Sequence, residues 1–168
     1  MRLVLVRHGS TATSEARRFA GWADEPLSAL GREQARGLGE RLAGETWAGV
    51  WSSDLRRTIE TARLAGFEPV PDARLRELDF GEIEGRGWDE LDDATHRALR
   101  SFEGFRAPGG ESGEELRARV LDFLRGLSGD PHLLFTHGGV IRLLLRMSGG
   151  GDGVGPAGVV DLDLEPPP

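Results

Sequence analysis

Three short stretches of this sequence combine residue types that could act on an anion. Arg7-His8-Gly9 follows the apolar run Leu3-Val4-Leu5-Val6, and Thr136-His137-Gly138-Gly139 repeats that order after an apolar run ending at Phe135. Between them, Arg56 and Arg57 follow Ser53-Asp54-Leu55. An imidazole beside a guanidinium at the end of a strand is placed to meet an anion, and glycine lets the backbone come close. Any strand can end in polar residues, however, and paired arginines are commonly a solvated face. The chemistry therefore depends on whether the chain brings these stretches together.

The elements that must do so can be read from periodicity. Leu3 to Val6 has no polar break, as in a short strand buried on both faces. Residues 10–26 read as irregular. Ser28 suits a helix N-cap, with Ala35, Leu38 and Leu42 at helical spacing and Gly44 as a stop. Residues 47–51 read as a second strand. Ser53 is the expected cap of a helix reaching about Leu64, with Leu55, Ile59 and Ala62 on its core side and Arg57 off that stripe, facing a cleft. An anion at this helix start would offset the two arginines, which otherwise oppose the dipole. Residues 67–70 form a weak edge strand among prolines. Residues 88–105 read as helical without a clean apolar face. Ser112 and Glu115 form a capping box ahead of the stripe Leu116, Val120, Phe123, Leu124 and Leu127. A strand over 132–135, a helix over 140–147, a Gly-rich loop over 148–156 and a last strand over 159–164 complete the chain. Strands alternating with helices predict a three-layer α/β/α sandwich around a mostly parallel mixed sheet of about five or six strands. In open α/β sheets, ligands gather at the carboxyl ends of the strands.

Composition narrows the chemistry. The chain has 168 residues, 38% hydrophobic and 29% charged, which is ordinary for one soluble domain. No apolar run approaches the roughly 20 residues of a membrane span. The first residues already read as a strand, which leaves no room for a signal peptide, so a cytoplasmic location is expected. Without cysteine there is neither a thiolate metal site nor a thiol nucleophile. All 21 cationic side chains are arginine, so lysine Schiff bases and Walker-type lysines are excluded. A net charge of −7 without a basic block disfavours nucleic acid as a partner. His96 and His132 have no partner at a metal-ligand spacing; a surface position for the first and a strand edge for the second are expected. Trp22, Trp47, Trp51 and Trp88 read as packing residues, with Trp22 and Trp88 near the proposed site loops.

The stretches Leu5-Val6-Arg7-His8-Gly9-Ser10-Thr11, Gly21-Trp22-Ala23-Asp24, Ser53-Asp54-Leu55-Arg56-Arg57, residues 78–85, Pro108-Gly109-Gly110-Glu111-Ser112 and Thr136-His137-Gly138-Gly139 occur in one order. That series resembles the histidine phosphatase superfamily, also called phosphoglycerate-mutase-like, over about residues 2–147. The resemblance implies that His8 attacks phosphorus and becomes phosphohistidine, with Arg7, Arg57 and His137 binding the phosphoryl oxygens. It implies that Glu77 is the general acid, then the base for water; by spacing alone, Glu82 and Glu84 compete for that role. Gly21, Gly138 and Ser14 join the substrate-binding set, and no metal or cofactor is implied. Ser14 is a departure, since the family often has asparagine there, and a hydroxyl donates one hydrogen bond where an amide donates two.

The expected function is a phosphomonoester hydrolase acting on a small phosphorylated metabolite. A cofactor-dependent phosphoglycerate mutase is the nearest alternative, and a non-catalytic phosphate- or phosphoprotein-binding module a further one. Residues 85–107 are the expected helical lid, shorter than the corresponding insertion of mutases of this type, and residues 165–168 a frayed tail. The chain is also similar to α-ribazole-phosphate and broad-specificity sugar-phosphate phosphatases, between which the sequence does not choose. An edge strand or the Gly-rich loop could pair two copies into a homodimer.

Overall fold

The first strand shows why this sheet is covered on both sides. In the computed structural model, which describes residues 1–165, β1 (Arg2–Arg7) buries all four of its central side chains. Leu3 and Leu5 enter one apolar cluster, while Val4 and Val6 enter another. Successive strand residues point to opposite faces, so four buried neighbours require a layer on each face.

The layers are supplied in chain order. α1 (Ala12–Glu15), α2 (Ala29–Arg36) and α3 (Leu38–Leu42) precede β2 (Gly49–Ser52). α4 (Arg56–Leu64) leads to β3 (Val70–Pro71), followed by α5 (Asp93–Ser101), α6 (Gly113–Arg125), β4 (His132–Thr136), α7 (Gly138–Met147) and β5 (Val159–Asp163). Leu38, Leu42 and Ala62 from α3 and α4 pack on Val4, Val6, Leu133 and Phe135. Leu99, Phe123, Val140 and Leu144 from α5, α6 and α7 pack with Leu3, Leu5 and Leu134 on the other face. The strand order is β3-β2-β4-β1-β5, with every pair parallel except β1 and β5. The result is a five-stranded mostly parallel mixed sheet between helices, as expected.

Several local expectations are corrected. The helix after Ser28 breaks at Gly37 into α2 and α3. Residues 10–26 hold the short helix α1, started by a reciprocal capping box between Thr11 and Ser14. The segment over 88–105 is a 3₁₀ turn, Trp88–Glu90, then α5, which ends with Phe102 in the left-handed conformation (φ 60°). His132 lies on the central strand β4 and is 1% exposed, with Nδ1 accepting from Trp51 Nε1 (3.3 Å). The expected helix start at Ser53 also moves. Leu55 occupies the N-cap without a side-chain bond, and Asp24 from a distant loop accepts from Arg56 N (2.7 Å). That carboxylate supplies the negative charge the helix start needs. The expected stripe on α4 is rotated as well: its buried residues are Arg57, Thr58, Thr61 and Ala62, while Ile59 is half-buried. Residues 166–168, most of the expected tail, lie outside the described residues.

One close approach anchors the loop after β1. A Cβ on Gly31 would overlap the Ser10 carbonyl oxygen, and one on Gly9 would overlap the Gly31 carbonyl. Two backbones can meet there only if both positions lack side chains. Gly31→Ala is expected to cost about 1–3 kcal/mol through overpacking, measured as a lowered urea midpoint. An unchanged midpoint would contradict this packing.

Candidate active site

The parallel register of β1 and β4 carries the two histidines to one place. Cα partners run from Leu3 with His132 to Arg7 with Thr136, so His8 and His137 are the next pair beyond the ladder. His8 N continues the pairing by donating to Thr136 O (3.0 Å). The two rings lie edge to face with centroids 5.2 Å apart, and both residues are buried. Each ring stands at the carboxyl end of its strand, where an open α/β sheet leaves a crevice.

Two arginines close around the pair. Arg7 Nη1 donates to Val154 O in the Gly-rich loop (2.7 Å). Arg57, 1% exposed, donates from Nη1 to Ala23 O and from Nη2 to Gly21 O, both at 2.7 Å. Arg57 reaches the cleft from the buried face of α4 rather than from beside an apolar stripe. The position of Gly21 follows from the same contact, since its carbonyl holds Arg57 while the residue itself lines the cleft. Arg7 Nε, Arg57 Nε and both ring nitrogens of His137 are buried without a protein partner. Buried polar groups are seldom left unpaired, so convergent orphan donors mark a place for an acceptor-rich ligand. A phosphoryl group supplies such acceptors.

Among the three carboxylates that spacing could not separate, only Glu77 lines the cleft. Its Oε1 accepts from Leu78 N (2.8 Å) and its Oε2 from Gly139 N at the start of α7 (3.0 Å). A Cβ on Gly139 would overlap this carboxylate. Glu84 instead accepts from Trp22 N (2.6 Å) and braces the loop at Gly21. Arg119, on α6, fixes the backbone beneath Glu77. It donates to the carbonyls of Arg74, Arg76 and Glu77 (2.7–2.8 Å) and pairs with both oxygens of Glu111. Trp22 Nε1 also donates to Glu77 O (2.8 Å). No local signal marks Arg119 in the sequence, because its partners are distant backbone atoms.

Ser14 and Gly138 line the same cleft. The Ser14 hydroxyl accepts from Thr11 N (2.9 Å) and donates to Thr11 O (3.1 Å), so its single proton serves the start of α1. Thr61 is a supporting residue that periodicity did not single out. Its Oγ1 accepts from Gly9 N (3.1 Å) and donates to Arg57 O (2.7 Å), tying the His8 loop to α4. Arg56 is exposed and pairs with Glu60 within α4 instead.

Burial sets the protonation of the rings. Desolvation, with help from Arg57, pushes His8 down to about 3 and His137 well below the ordinary histidine value. Burial likewise lowers Arg7 and Arg57 from the ordinary arginine value, with Glu77 acting in the opposite sense. His8 is thus neutral, and its Nδ1 lies 2.7 Å from Gly9 O. A carbonyl only accepts, so Nδ1 carries the hydrogen and Nε2 keeps its lone pair. The cleft, about 360 Å³, is lined by the neutral His8, by the carboxylate-bearing Glu77 and by Arg7, Arg17, Arg18, Arg57 and Arg142, with the neutral His137 ring against His8.

The family model for the histidine phosphatase superfamily (branch 1) matches residues 3–153. A curated protein from Enterobacter sp. (strain 638), named probable phosphoglycerate mutase GpmB, is 39% identical over 82% of this chain and 70% of its own length. A crystal structure of a phosphoglycerate mutase from Thermus thermophilus superposes with a TM-score of 0.90. It is 46% identical, covering 97% of this chain and 93% of that one. A mycobacterial glucosyl-3-phosphoglycerate phosphatase superposes with a TM-score of 0.81 at 30% identity, covering 95% and 88%.

The lowered histidines predict the direction of acid destabilisation. Below about pH 6.5 the unfolded imidazoles take up protons that the buried rings refuse. Stability is therefore complete above that pH and falls as the pH drops toward about 3 for His8. Each ring contributes a slope of up to about 1.4 kcal/mol per pH unit. Urea unfolding between about pH 4 and pH 7 is expected to show a shallower slope in His137→Gln than in the parent protein. Identical slopes would contradict a neutral buried His137.

Proposed function

We propose that this chain, which belongs to the histidine phosphatase superfamily, hydrolyses phosphomonoesters of small metabolites through a phosphohistidine on His8. The observation that carries the reading is the set of orphaned donors on Arg7, Arg57 and His137 around the lone pair of a neutral His8. Those donors fit the three equatorial oxygens on which charge is spread during phosphoryl transfer.

In the first half-reaction, His8 Nε2 forms a bond to phosphorus as the bond to the alcohol oxygen breaks. The departing oxygen takes a proton from Glu77, which becomes a carboxylate. In the second, that carboxylate removes a proton from water as its oxygen bonds to phosphorus and the P–N bond breaks. Inorganic phosphate leaves, His8 is again neutral, and Glu77 again holds its proton. His137 offers one ring N–H to a phosphoryl oxygen throughout. Arg119 is a positioning residue: it acts through the backbone of Glu77 and not on the reacting atoms.

Hydrolysis is preferred to mutase action because of what covers the cleft. A mutase has to keep water from the phosphohistidine while its intermediate turns round, whereas a hydrolase has to admit it. Here the cover is one 3₁₀ turn, Trp88–Glu90, and the nine-residue α5. The mutase reading draws its support from the names of similar proteins.

Brief mixing with substrate and an alkaline quench is expected to trap an acid-labile, base-stable phosphoprotein that His8→Ala cannot form. Phosphate release should exceed isomerisation of 3-phosphoglycerate; fast isomerisation with negligible release would establish the mutase instead. Arg119→Met should lower kcat by up to about a hundredfold with KM nearly unchanged, since a displaced acid misses the leaving oxygen. Arg119→Lys, which keeps a cationic donor beneath the Glu77 carbonyl, should recover part of that kcat at equal amounts of folded protein, which a loss of folded protein alone would not explain.

A further inference from the structure

The tautomer of His8 depends on the direction of one peptide group. His8 Nδ1 carries its hydrogen because the atom facing it, Gly9 O at 2.7 Å, can only accept. That carbonyl belongs to the peptide joining Gly9 to Ser10. A trans peptide points its C=O and N–H in opposite directions, so turning this plane over would bring Ser10 N–H toward the ring. Nδ1 would then have to accept, and the hydrogen would pass to Nε2, the atom proposed to attack. Whatever holds the plane therefore helps to make His8 a nucleophile.

The preceding peptide is held at both ends. His8 O accepts from Ala157 N (3.1 Å), and Gly9 N donates to Thr61 Oγ1 (3.1 Å). The next plane turns about the bonds of Gly9, and glycine opposes such a turn less than any other residue. No stiffer residue can take its place, since a Cβ on Gly9 would overlap the Gly31 carbonyl. The restraint has to come from outside the loop, and α2 supplies it: Gln34 Oε1 accepts from Ser10 N (2.9 Å). The start of the same helix is docked nearby, with Ser28 N donating to Ser10 O (2.9 Å). Gln34 itself is half-buried and stands outside the cleft lining. We infer that Gln34 is a positioning residue for the nucleophile: by gripping the amide of Ser10, it turns the Gly9 carbonyl to His8 Nδ1 and reserves the Nε2 lone pair for phosphorus. The attack on phosphorus rests on the phosphomonoesterase reading, whereas the choice of tautomer does not.

Gln34→Met keeps the length of the side chain and removes the acceptor, while Gln34→Glu keeps an acceptor at the same reach. The first measurement needs no substrate. In the intact, nitrogen-15-labelled protein at neutral pH, proton–nitrogen correlation spectra report which ring nitrogen of His8 carries hydrogen, the His8 signals being those lost in His8→Ala. The parent protein and Gln34→Glu should hold it on Nδ1, and Gln34→Met should move a large share to Nε2. The second measurement is single-turnover release of p-nitrophenolate from p-nitrophenyl phosphate. This leaving group departs without a proton, so the rate reports attack by His8. At saturating substrate Gln34→Met should slow it about tenfold or more, in step with its loss of the attacking tautomer. Gln34→Glu should restore most of the rate. Hydrogen confined to Nδ1 in Gln34→Met would overturn the inference, as would a Gln34→Glu rate no faster than that of Gln34→Met. If the parent protein turns over no ester and no phosphoprotein is trapped, the phosphatase reading fails instead, and the spectra still decide whether Gln34 sets the tautomer.

Discussion

Parallel pairing between β1 and β4 is the constraint from which the site follows. Because the ladder holds Arg7 level with Thr136, the residues one step further along must stand side by side. Both strands end at that level, so the two imidazoles emerge together into the crevice above the sheet. A slip of one residue would turn the apolar side chains to the wrong layers as well as separate the rings. The core therefore enforces the register that the chemistry needs: Leu3, Leu5 and Leu134 on one face, and Val4, Val6, Leu133 and Phe135 on the other.

Charge around this pair is managed by burial as much as by pairing. Two guanidinium groups are taken out of water and fastened to carbonyls rather than to carboxylates. Their positive field, added to desolvation, keeps both histidines uncharged. A neutral His8 is the form that can attack, and its tautomer is set by the adjacent Gly9 carbonyl. Glu77 brings the acidic side chain of the cleft wall and is itself held by backbone N–H groups from two segments. The surrounding acids are directed to structural tasks: Asp24 at the start of α4, Glu84 on the Gly21 loop, and Glu111 on Arg119.

Arg57 illustrates how local pattern and tertiary context diverge. Apolar spacing on α4 points to Leu55, Ile59 and Ala62 as the inward side. In the folded chain Arg57, Thr58 and Thr61 share that side, because the layer beneath them includes the loop carbonyls of Gly21 and Ala23 and the amide of Gly9. Hydropathy cannot anticipate a buried face whose partners are backbone polar atoms from distant segments. His132 differs from its expected place for a related reason: its strand is central in the sheet, and strand order is not written in any single strand.

The sequence by itself determined the alternation of strands and helices, the both-sided burial of β1, the caps at Ser28 and Ser112, and the ordered stretches that mark His8, Arg57 and His137. These are short-range signals, carried by residue type and by spacing within one turn or one pleat. Tertiary structure alone decided which of Glu77, Glu82 and Glu84 enters the cleft, that Asp24 completes the start of α4, that Ser14 commits its proton to Thr11, and that Arg119 secures Glu77 from across the molecule. Each of these depends on where a carbonyl, an amide or a cavity wall lies after the layers have packed. Chain spacing holds no record of those positions, since they are set by contacts between segments tens of residues apart.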